Sequence, residues 1–120
     1  MRRSRVAAAL WLSASAALGQ VGIAPADAQV PVSAARTDAA ARSGVPQAQI
    51  RTLSAERVTW RDGSLGCPRE GLVYTQALVA GWRIRLEVGP GVWDYHAGES
   101  GAPMLCPAGR AREPLPNSRD

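Results

Sequence analysis

The chain has 120 residues, with 14 arginines, no lysine, ten acidic residues, one histidine and two cysteines, and a formal net charge of +4. That length holds one domain at most. Its positive charge is spread along the sequence rather than gathered on one segment, which argues against a nucleic-acid binder, and no nucleic-acid partner is expected.

The first 28 residues read as a secretory signal peptide. Met1-Arg2-Arg3-Ser4-Arg5 is basic, Val6 to Gly19 is an uncharged apolar run of 14 residues, and Ala26-Asp27-Ala28 offers the small-x-small pattern of a cleavage site. The run is shorter than the roughly 20 residues of a bilayer-spanning helix, so no transmembrane segment is expected after cleavage. Cutting before Gln29 leaves 92 residues with 11 arginines and nine acids, a net charge of +2, in a periplasmic or secreted protein.

Residues 29–49 are rich in Ala, Pro, Ser and Gly and show no apolar stripe. They are expected to form a flexible linker or a frayed helix from Ser33 to Arg42. Residues 50–106 are the expected folded domain, and residues 107–120, with three prolines, a flexible tail.

Within the domain, Glu56 to Trp60 reads as a strand and Asp62-Gly63-Ser64 as the turn after it. Leu72 to Val79 is expected to be another strand. Trp82, Ile84, Leu86 and Val88 alternate with Arg83, Arg85 and Glu87, a strict period of two. Gly89-Pro90-Gly91 must turn, and Val92 to His96 returns. Pairing Val88 with Trp93 and Leu86 with Tyr95 keeps one face apolar and leaves Arg83, Arg85, Glu87, Asp94 and His96 on a solvated face. Met104 to Cys106 closes the set. The expected fold is mainly β: four or five short antiparallel strands curled into a sandwich or partial barrel. With no Phe present, Trp60, Trp82, Trp93, Tyr74 and Tyr95 are the large core candidates.

In an exported chain two cysteines favour a disulfide, here Cys67 to Cys106. A domain this small needs such a bond to supplement its core.

The segments Trp60-Arg61-Asp62-Gly63-Ser64-Leu65-Gly66-Cys67-Pro68, Tyr74-Thr75-Gln76-Ala77-Leu78-Val79-Ala80-Gly81 and Tyr95-His96 carry a resemblance. The chain resembles an uncharacterised family of short exported bacterial proteins that share W-x-D-G-S-L-G-C-P, Y-T-Q-A-L-V-x-G and Y-H segments. The resemblance implies a domain running from about residue 50 to the second cysteine, and no activity, cofactor or partner.

The candidate binding residues are Asp62, Gly63, Ser64 and Leu65, on a loop pinned by Cys67, with Trp60 beside them. The bland alternative is a structural turn. A thiol- or His-dependent hydrolase needs Cys67 free beside His96 and Asp94. A lone histidine is too little for a zinc site, so neither metal nor cofactor is expected. The leading expectation is a non-catalytic interaction module for a protein or cell-envelope ligand. The alternatives are that hydrolase and a purely structural envelope protein.

Overall fold

A computed structural model describes residues 25–116. The leader read over residues 1–28 lies outside the described residues except for its last four. Ala26–Ala28 form a 3-10 turn that leads into helix α1, Gln29–Ser43. Four strands follow: β1 Arg51–Trp60, β2 Val79–Val88, β3 Gly91–Gly98 and β4 Met104–Cys106, in a single antiparallel sheet of order β1-β2-β3-β4.

Residues 29–43, read from the sequence as a flexible linker or a frayed helix from Ser33 to Arg42, are thus a longer helix held on the sheet. Ala28, Val32, Ala35 and Ala39 recur at helical spacing and are buried. Alanine favours the helix, and its small side chain allows close approach to the sheet. Pro31 sits in the first turn, where its missing N–H costs nothing. Gly44 ends the helix in the left-handed region (φ +77°), its N–H bonded to the Ala40 carbonyl at 2.9 Å. Side chains then lock α1 in place. Arg36 donates to the carbonyls of Gln47 and Ile50, and the buried Tyr95 hydroxyl donates to Asp38 at 2.7 Å.

Under α1 lies the apolar face of the hairpin, with Trp82, Ile84, Leu86, Val88, Tyr95 and Ala97 all buried. The alternation places these side chains together as expected. The register differs by two residues: Leu86 opposes Trp93 and Ile84 opposes Tyr95, with Val88 opposite Gly91. The connection is therefore the two-residue turn Gly89-Pro90. Gly89 takes φ +56° and proline fixes a negative φ, the sign pattern of the tight hairpin turn that matches strand twist. A shift of two keeps every side chain on its own face, so burial alone does not choose between the two pairings.

On β1, Arg57 lies 4.9 Å from the Trp82 ring centroid and pairs with Asp27 at 2.6 Å and Glu99 at 3.5 Å. The β1–β2 register shifts between Thr52 and Ser54, a bulge at Leu53.

The opposite face is also covered. Arg83 and His96, expected in solvent, are 6% and 0% exposed. Residues 61–78, mostly irregular, fold over this face together with residues 107–116. The Leu72 to Val79 strand does not form; only Val79 joins β2. The tail segment is held by the Arg112 N–H on the Gly66 carbonyl (2.8 Å) and the Leu115 N–H on the Thr59 carbonyl (3.0 Å). The Cys67–Cys106 disulfide joins the loop to β4, with Cα atoms 5.8 Å apart.

Candidate functional site

The covered face is built around Trp60 and His96, whose rings stack with centroids 4.4 Å apart. The Trp60 indole donates to the Ala97 carbonyl at 3.0 Å, which satisfies its one polar atom in the interior. His96 donates from Nδ1 to the Leu65 carbonyl at 2.7 Å. Its Nε2 lies 3.1 Å from Asp94 Oδ2, in ion-pair range but out of line for a straight hydrogen bond. Two glycines make room: a Cβ on Gly66 would lie 2.5 Å from the Trp60 ring, and one on Gly81 would lie 2.0 Å from the Ala97 carbonyl oxygen.

Beside this stack runs a chain of charges. Arg83 donates to Asp94 through Nε (3.2 Å) and Nη2 (2.9 Å), and through Nη1 to both oxygens of Glu113. Burial opposes the Asp94 carboxylate, but His96 and Arg83 outweigh it and hold the carboxyl below its ordinary range. Burial likewise opposes the Arg83 cation, yet the two carboxylates leave it more firmly protonated. Glu113 is held low by the Arg83 hydrogen bonds.

The sequence-predicted loop supports this cluster. Asp62 Oδ1 accepts from the Ser64 N–H (2.8 Å) and hydroxyl (2.6 Å), and these bonds lower its carboxyl. The Gly63 N–H bonds the Thr75 carbonyl at 2.8 Å. Leu65 takes a left-handed φ of +56°, uncommon for a leucine, and its carbonyl meets His96 there. Asp62, Gly63 and Leu65 are half-exposed, whereas Ser64 and Trp60 are buried. The five residues do come together, but Trp60 is an interior side chain.

The thiol arrangement is not assembled: both sulfurs are bonded, so Cys67 offers no thiolate. The Ser64 hydroxyl is committed to Asp62. Among the described residues, no group of three His, Cys, Asp or Glu side chains converges as metal ligands. No helix among them is long and apolar enough to cross a membrane.

What the sequence reading missed is the stretch resting on the loop. Leu72, Val73 and Leu78, expected in a strand, are 56%, 96% and 64% exposed. The Tyr74 hydroxyl accepts from the Arg69 N–H at 3.1 Å and shapes this projection. Arg69-Glu70-Gly71 is the one local turn signal that marks it. Arg69, Arg110 and Arg112 line one depression here, and Arg61 and Arg112 line a second that adjoins it at Pro68 and Arg112.

Neither a curated protein nor a solved structure matches the chain. One family does match, over residues 32–106, from within α1 to the second disulfide cysteine, and the chain belongs to that family, described as Domain of unknown function (DUF8738).

Proposed function

We propose that this protein is an exported, non-catalytic interaction module of the cell envelope that engages its ligand through residues 61–78. The observation that carries the reading is the exposure of Leu72, Val73 and Leu78 on an irregular segment whose base is fixed. The fixing is covalent at Cys67, through the backbone at Gly63–Thr75 and through side chains at Asp62–Ser64. A base held this firmly lowers the ordering entropy lost on binding. Asp62, Gly63 and Leu65 act as the rigid platform and partial rim, and Trp60 supports them from beneath. Export is supported by the leader-like residues 1–28 and by a disulfide that persists in oxidising compartments.

The test is a pull-down from cell-envelope extract, comparing the natural protein with the double substitution Leu72→Ser, Val73→Ser. The expected result is a saturable catch that the double substitution removes while the disulfide stays intact. An undiminished catch would place the binding surface elsewhere and overturn the reading.

A further inference from the structure

We infer that the projection at Leu72–Val73 docks on an anionic membrane surface, with the arginines of the depressions beginning at Arg69 on lipid phosphates. This rests on the binding-module reading above and names its ligand class.

Single exposed aliphatic residues are ordinary on a protein surface. Here two adjoin at the tip of one loop, and Val73 is 96% exposed. The Leu72 N–H is bonded to the carbonyl of exposed Arg69 at 3.3 Å. Arg69 lines a depression with exposed Arg112 and half-buried Arg110, and exposed Arg61 joins Arg112 in the depression next to it. None of the four makes an ion pair among the described residues. Arg110 reaches only the Cys67 sulfur, at 3.6 Å. Of the acids on this surface, Glu113 is paired with Arg83, while Asp62, bonded only to neutral Ser64 groups, keeps its charge, so two carboxylates, Asp62 and Glu70, stand against four guanidinium groups. Two of the arginines belong to the tail and reach the loop because the Arg112 N–H is bonded to Gly66.

Apolar tip and basic patch together fit a bilayer. The aliphatic side chains enter the boundary between headgroups and acyl chains, and guanidinium groups pair with phosphate oxygens in a fork geometry. A protein partner fits less well. The tip is aliphatic, it lacks the aromatic anchors of protein interfaces, and the adjacent aromatic, Tyr74, has its hydroxyl bound to Arg69. α1 lies on the other face of the sheet and does not obstruct the approach.

The experiment is vesicle co-sedimentation of the protein as processed in its native compartment, using phosphatidylcholine vesicles with and without phosphatidylglycerol. Binding is expected only with the anionic lipid. Leu72→Ser, Val73→Ser should lower the partition coefficient about tenfold or more. Arg69→Gln, Arg112→Gln should lower it and flatten its dependence on salt. Far-UV circular dichroism and absence of free thiols confirm that each variant is folded.

Three results overturn the inference: no binding to anionic vesicles, equal binding to neutral ones, or binding that the tip substitutions leave unchanged and soluble dextran sulfate competes away. Failure here is separable from failure of the binding reading. An envelope protein captured by the natural tip but not by the serine variant, without vesicle binding, keeps the module and removes the membrane. Loss of both removes both.

Discussion

Trp60 and His96 lie face to face, ring planes 24° from parallel, and neither is exposed to solvent. The indole is the largest side chain of a small interior, so Trp60→Ala is expected to cost about 3–5 kcal/mol. Trp60→Phe keeps an aromatic face and loses the bond to Ala97, and should cost about 1–2 kcal/mol. Gly66→Ala introduces a methyl 2.5 Å from the same ring at a residue with φ +70°, and should destabilise by about 2 kcal/mol or more. Urea midpoints of the three variants check the order.

The Asp94, Glu113 and Asp38 carboxyls are all held low in the folded chain. A carboxyl that is more acidic in the folded state stabilises the protein above its unfolded value, near about pH 4. That contribution is lost as pH falls through the depressed folded value. Stability should therefore be steady near neutrality and fall below about pH 4. Asp94→Asn should flatten this acid limb and, by leaving buried Arg83 half-paired, cost about 3 kcal/mol near neutrality. Urea unfolding across this pH range reads both effects.

Removing the disulfide with Cys67→Ser, Cys106→Ser frees a loop spanning 39 residues of sequence separation. The expected loss is about 4 kcal/mol, and the natural protein should show no alkylatable thiol without reductant. Mass spectrometry with and without reduction settles the second point, and thermal unfolding the first.

Deleting residues 29–44 strips α1 from Trp82, Ile84, Leu86 and Tyr95. The truncated chain should lose cooperative unfolding and bind a hydrophobic dye, which an expendable linker would not cause. The milder Tyr95→Phe removes only the bond to Asp38 and should cost about 1 kcal/mol, read as a shift in urea midpoint.

The β2–β3 hairpin was legible because a period of two over Trp82–Val88 has one physical meaning. Its register was not, since pairings two residues apart bury the same faces, and the turn's dihedral signs decide between them. A helix within α1 was legible, but its docking on the sheet was hidden because its buried positions are mainly alanines, which pack by being small and leave little apolar signal. Arg83 and His96 read as solvated because nothing local reveals that distant segments fold over them. Asp62–Ser64 was legible as a turn from residue chemistry alone. The exposed Leu72–Val73 tip was not, since an apolar run looks the same whether a strand buries it or a loop presents it.

The Leu115 bond to Thr59 has a bearing on how copies of the chain treat one another. A ten-residue outer strand offers unpaired amides on which another molecule's strand can stack. One end of that strand is occupied by Leu115, and the kink at Leu53 spoils the straight run at the other. The C-terminal segment is therefore expected to guard against chain-to-chain adhesion. Loss of residues 114–120 should show as concentration-dependent self-association in sedimentation velocity, with the sheet itself unchanged.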